Sequence, residues 1–129
     1  MPYVLKTDAL SNLEAGEEVE ITERYFYCGN TISAGDEAFL WFSGADQCLA
    51  WSTAVLRVEP PIDRRVGVTV RVIARSSPDA LTCADLAPMT DVRDGSALSE
   101  LSRKFYKHAH DKVAAVSEDE AALLRSYFR

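Results

Sequence analysis

Cysteine is scarce in this chain and poorly placed for cross-linking. Cys28, Cys48 and Cys83 are odd in number and widely spaced, which suits neither a disulfide framework nor a paired CxxC metal site, so reduced, partly buried thiols are expected. Long apolar runs are missing too. Nothing approaches the roughly 20 residues a bilayer span requires, and the opening Met-Pro-Tyr-Val-Leu-Lys-Thr-Asp has neither the apolar stretch nor the cleavage site of a signal peptide. The expectation is a cytoplasmic protein with no membrane partner. No GxSxG elbow, GxxxxGK[ST] loop or GxGxxG fingerprint occurs, which removes the usual supports of acyl transfer, nucleotide hydrolysis and dinucleotide redox chemistry. With no repeat, low-complexity tract or flexible linker, and with 47% hydrophobic residues, the 129 residues read as one domain spanning 1–129.

Positive charge is also in short supply. A net charge of −6 excludes a protein whose whole surface grips phosphates, since such binding relies on lysine and arginine displacing counterions. The deficit is local, however. Residues 1–46 hold nine carboxylates against two cations, whereas 57–75 hold Arg57, Arg64, Arg65, Arg71 and Arg75 against Glu59 and Asp63. Residues 103–112 add Arg103, Lys104, Lys107 and Lys112 against Asp111. If the fold joins these two segments, Arg64, Arg65 and Arg71 share a basic face with Lys104 or Lys107; the plainer alternative is solvated surface charge.

What is present is strand pattern first and helix pattern later. Tyr3 to Leu5 reads as a short strand, and Val19, Ile21 and Tyr25 alternate with charged residues as a second. Gly35-Asp36 makes a turn into the bulky run Phe39-Leu40-Trp41-Phe42; Ser43-Gly44-Ala45-Asp46 breaks it, and Leu49 to Val58 resumes it, so a hairpin is the direct reading. Pro60-Pro61 stops that strand. Val66, Val68, Val70 and Val72 then show the clearest period of two in the chain. Thr82 to Leu86 is a capped helical turn. Leu98, Leu101 and Phe105 define a helix near 97–107 with Asp94 or Ser96 as its cap, and Ser117-Glu118-Asp119-Glu120 is a capping box opening a helix near 118–128. Five or six strands followed by short helices give an α+β domain or a small barrel with helical decoration.

Residues that bear chemistry are few. His108-Ala109-His110-Asp111 is the single histidine cluster and lacks a fourth ligand at a diagnostic spacing, so no metal and no cofactor are expected. Asp36 and Glu37 are adjacent on a strand and face opposite ways, and Cys28 has no histidine placed beside it by the sequence, so no catalytic set is assigned. The aromatics offer more. Trp41 and Trp51 stand on neighbouring strands of the hairpin, where they are either core or the walls of a slot for a flat ligand such as a nucleobase. By parity Phe39 and Trp41 share one face and Leu40 and Phe42 the other, so a helix or ligand must cover one of them.

These segments together resemble the EVE-type domains of the PUA-like superfamily, relatives of YTH and ASCH domains. The matching pieces are Tyr3-Val4-Leu5-Lys6, the loop Tyr27-Cys28-Gly29-Asn30-Thr31, the strand Gly35-Asp36-Glu37-Ala38-Phe39-Leu40-Trp41-Phe42-Ser43, the exit at Glu59-Pro60 and the capped terminal helix. The resemblance implies a small PUA-like barrel that binds DNA or RNA noncatalytically, in several members by accepting a flipped or modified base. It carries Tyr27, Asn30, Trp41 and Ser43 over as candidate binding residues; Trp51 joins them as a second ring, and Arg64, Arg65, Arg71, Lys104 and Lys107 as holders of the backbone. The rival reading is a protein-interaction or small-ligand module that works through the acidic face of residues 1–46.

Overall fold

In the computed structural model, which describes residues 1–8, 13–43, 48–76, 81–106 and 111–128, the period-two segments become strands and the capped segments become helices. Strands β1 (Tyr3–Thr7), β2 (Glu18–Arg24), β3 (Glu37–Phe42), β4 (Cys48–Val58), β5 (Arg65–Arg75) and β6 (Val113–Ala115) form one sheet in the order β2-β5-β4-β3-β1-β6. Every pairing is antiparallel except β1 with β3. Helices α1 (Cys83–Leu86) and α2 (Ala97–Tyr106) follow β5, and α3 (Glu118–Arg125) follows β6. The sheet curls until its ends meet, where the Lys112 N–H ahead of β6 donates to the Arg24 carbonyl that ends β2, at 2.8 Å. The α+β, PUA-like barrel expected above is the architecture found. Among the described residues no helix is long and apolar enough to cross a membrane.

Each face of the sheet has its own core. Inside the curl, Val66, Val68, Val70 and Val72 are fully buried and meet Ile21, Leu5, Leu40 and Trp51. Outside, Val4, Phe39, Trp41 and Leu49 pack against Leu86, Leu101, Phe105 and Leu124 of the helices. Because successive strand residues point to opposite faces, β3 feeds both cores, as its double apolar pattern required. The caps also form as read: the Ser96 hydroxyl accepts the Ser99 N–H at 3.2 Å, and Ser117 and Glu120 exchange both bonds of a capping box.

The two tryptophans do not share a slot. Trp51 is directly opposite Leu40 in the β3–β4 register and therefore points with it into the curl, while Trp41, the next residue along β3, points to the helices. Trp41 stacks on Phe105 with ring centroids 4.2 Å apart and 21° between planes. It fills core space between β3 and α2. Truncation there removes a buried ring and leaves a cavity, so Trp41→Ala is expected to cost about 3 to 5 kcal/mol in urea unfolding; a loss under 1 kcal/mol would show that the ring is not structural.

Candidate functional site

The chain leaving β2 is held from several sides. Tyr25 N–H donates to the Arg64 carbonyl at 2.9 Å, Phe26 N–H to Asp111 Oδ1 at 2.9 Å, and Arg64 Nη1 to the Phe26 carbonyl at 3.0 Å. The chain then tightens into a 3-10 turn at Gly29–Thr31 that lies against β6. Only glycine fits at position 29, where a Cβ would overlap Tyr25 and stand 2.6 Å from the Val113 carbonyl oxygen. Thr31 closes the turn through its hydroxyl bond to the Cys28 carbonyl at 2.6 Å, and its oxygen also meets the Tyr3 hydroxyl. Fixed backbone here carries exposed rings. Phe26 is 40% and Tyr27 65% exposed, unusual for large apolar side chains on so constrained a segment.

Beside Tyr27 opens a cavity of about 310 Å³, lined by Tyr27, Cys28, Lys104, Asp111, Ala114 and Ala115. The polar groups in it are set by the fold. Lys104 Nζ bonds both oxygens of buried Glu120 at 2.6 and 2.8 Å, which bolts the cap of α3 to the last turn of α2. The Lys104 carbonyl accepts Lys6 Nζ at 2.7 Å, so a cation sits at the negative end of α2. Lys6 is 2% exposed, and burial pushes its ammonium down to about 8, opposed by the Asp111 carboxylate and reinforced by Lys112.

A second cleft, of about 280 Å³, adjoins this segment and is lined by Glu23, Arg24, Arg65 and Lys112. A third, of about 360 Å³, lies on the outer side of β2 and β5 among Glu20, Thr22, Glu59, Ile62, Asp63 and Arg65.

Of the sequence candidates, Tyr27 and Lys104 meet at the cavity, and Asn30 is exposed on the turn that follows Tyr27. Arg64, at a left-handed φ of 59°, supports the Phe26 carbonyl. The expected face joining Arg64, Arg65 and Arg71 to Lys104 does not form: Lys104 turns to Glu120, Arg65 joins Arg24 and Lys112, and Arg71 pairs with Glu18 at 3.6 Å. Six residues of strand set Arg71 about 20 Å from Arg65. Ser43 is bonded through its N–H to the Thr7 carbonyl at the opposite end of β1 from the Tyr3–Val4 level of the cavity. Trp41 and Trp51 are core; the latter's indole nitrogen has no hydrogen-bond partner among the described residues, and the Arg75 guanidinium lies 6.0 Å above its ring. Lys107, His108 and His110 lie outside the described residues, and among the described residues no three His, Cys, Asp or Glu side chains gather as a metal site. Cys28, expected to be partly buried, is an exposed free thiol because the tight turn lifts it from the sheet.

Arg24, Asp111 and Ala114 were not assigned to the site by the sequence. Arg24 closes an acidic strand, so any local charge count hides it; only the register of β2 with β5 shows its position opposite Arg65.

No family model matches the sequence, and no curated protein matches it. Solved structures do match over nearly the whole length. The DUF55 domain of human thymocyte nuclear protein 1 superposes with a TM-score of 0.68 at 13% identity, over 98% of this chain and 97% of that one. This chain has the fold of that domain. Human THYN1 protein in complex with 5-methylcytosine containing DNA gives the same TM-score and identity over 97% of this chain and 95% of that one. A protein from Pseudomonas putida matches at a TM-score of 0.61 and 16% identity, over 98% and 99%. At these identities the likeness carries the fold, and the site must be argued from its own residues.

Lys6 gives a direct check on the site's electrostatics. Its ammonium releases a proton near pH 8 in the folded chain but near 10.4 when unfolded. Between those values the unfolded state holds more protons, so stability from this group rises with pH, and below pH 8 the buried charge is a cost. Stability measured by urea is expected to rise by about 1.5 kcal/mol from pH 8 to 9.5 on this account, and the rise should vanish in Lys6→Met. The range stops short of the titration of Tyr3 and Tyr127, whose hydroxyls burial holds above their usual value and which act in the opposite sense. Identical slopes in both proteins would contradict the assignment.

Proposed function

We propose that this chain is a noncatalytic nucleic-acid-binding domain that takes a flipped or modified base into the cavity beside Tyr27. The observation that carries the reading is an exposed aromatic ring on a rigidly bonded segment at the mouth of a cavity whose walls offer both charged and apolar atoms. A volume of about 310 Å³ is at the small end of ligand sites, suited to one flat ring system. Tyr27 supplies a stacking surface, Lys104 and Asp111 supply polar contacts, and Ala114 with Ala115 leaves room for a substituent. The polar side chains are already engaged, Asp111 with a backbone N–H and Lys104 with Glu120, which suits them to holding a ligand more than to moving protons. The same fold in human THYN1 protein has been seen in complex with 5-methylcytosine containing DNA, which supports the class of ligand.

Stacking on an aromatic ring contributes about 1 to 3 kcal/mol per base, of the same order as the cost of unstacking a flipped one. Tyr27→Ala is therefore expected to weaken binding of an oligonucleotide by about 1 to 3 kcal/mol and to erase any preference for a modified base, with unfolding stability unchanged. Titrating wild type and variant by fluorescence anisotropy against modified and unmodified strands decides this. Equal affinities for wild type and Tyr27→Ala would remove the cavity from the reading. A wild type that binds no strand at low salt would favour the interaction-module alternative, which works through the acidic face of residues 1–46; Glu20 of that face shares a cleft with Glu59 and Asp63, rimmed by exposed Ile62.

A further inference from the structure

We infer a phosphate-binding site, separate from the base cavity, in the cleft formed by Arg24, Arg65 and Lys112. It rests on the nucleic-acid reading for its natural ligand, a phosphodiester of the bound strand, but its chemistry is that of any phosphate. Three cations line the cleft against one carboxylate, Glu23. The backbone puts them there. Arg24 and Arg65 are directly opposite in the antiparallel pair of β2 and β5, and Lys112 is tied to Arg24 by its N–H bond to the Arg24 carbonyl.

Like charges directly opposite on neighbouring strands are destabilising, and an isolated sheet would not choose this pairing. No direct ion pair offsets the repulsion: Arg24, Arg65 and Lys112 make none within 4 Å among the described residues. Other arginines of the described surface have partners of their own: Arg71 pairs with Glu18 and Arg125 with Glu37 and Glu118, Arg64 and Arg93 bond backbone carbonyls, and Arg75 lies over the Trp51 ring. Arg65 also borders the carboxylates Glu20, Glu59 and Asp63 of the neighbouring cleft, but the side of it shared with Arg24 and Lys112 carries a cationic excess that a bound anion would complete. Position supports the same assignment. Arg24 directly precedes the segment that carries Tyr27 and Lys112 directly follows Asp111, so a strand whose base entered the cavity would run its backbone past this cleft.

The test uses the whole chain with Arg24→Gln, Arg65→Gln and Lys112→Gln, singly and together, and Tyr27→Ala beside them. Affinity for a short single strand is measured across a salt series. Each cation removed is expected to reduce the slope of log K against log salt by about 0.7 while the preference between modified and unmodified strands stays, whereas Tyr27→Ala should lose preference and keep the slope. Unchanged slope and affinity in the triple variant, with wild type binding normally, would overturn the site and leave the base reading intact. If wild type binds no strand, the base reading fails and inorganic phosphate decides the site alone. Phosphate added at constant ionic strength should shift the Arg24 and Arg65 Nε–H resonances, and these shifts should be lost in Lys112→Gln. Shifts identify a site for free phosphate; their absence rejects it. Removing like charge from an exposed pair should not impair folding, which thermal unfolding of each variant checks.

Discussion

A single buried ammonium organises this molecule. All five residues of β1 are buried because the strand lies between two cores, and the chain places a lysine fourth among them. Removing that charge from water is costly unless it is bonded and paired. The available partners lie at the C-terminal turn of α2, through the Lys104 carbonyl, and in the Asp111 carboxylate ahead of β6. Satisfying Lys6 therefore draws α2 and the start of β6 toward the same point. Lys104 and Asp111, both walls of the candidate cavity, are brought there by the same requirement.

The closure of the sheet follows from that placement. Once Asp111 is fixed, its carboxylate accepts the Phe26 N–H and its neighbour Lys112 bonds Arg24, which joins the two ends of the sheet and leaves the next residues with little freedom. Phe26 and Tyr27 are exposed on this rigid segment. Exposure forgoes burial that would otherwise stabilise an aromatic ring by about 1.5 to 3 kcal/mol, a cost that the proposed contact with a base would offset.

Most of the fold was legible in the sequence, for reasons that stay local. Alternation in Val66 to Val72, parity in Phe39 to Phe42 and the caps at Ser96 and Ser117 each specify one element from a few residues, and each element formed. Register was not legible. Whether Trp51 faces Trp41 depends on which residue of β4 lies opposite Leu40, a matter of turn length and of the irregularity between Leu40 and Trp41 that neither strand announces. The site suffered from the same limit. Tyr27 was found through resemblance and Lys104 through a charge count, but Arg24 lay concealed among the carboxylates of β2, and Asp111 was read only beside histidines. Cross-strand neighbours, unlike sequence neighbours, decide which charges act together.

Charge across the barrel is arranged by the same logic. β2 shows Glu18 and Glu20 toward its start and Arg24 at its end, and β5 runs back beside it with Arg71 against Glu18 and Arg65 against Arg24. One end of this pair is thus neutralised internally and the other is left positive, on the side where the aromatic segment emerges. An acidic protein approaching a polyanion gains little from distant attraction at physiological salt, where charges separated by more than about 8 Å are largely screened. Binding of that kind has to come from a small positive area close to the contact, with the remaining acidic surface discouraging other modes of approach. The opposed arginines of the cleft beside the aromatic segment form such an area, and their mutual repulsion is a cost that the proposed phosphate contact would offset.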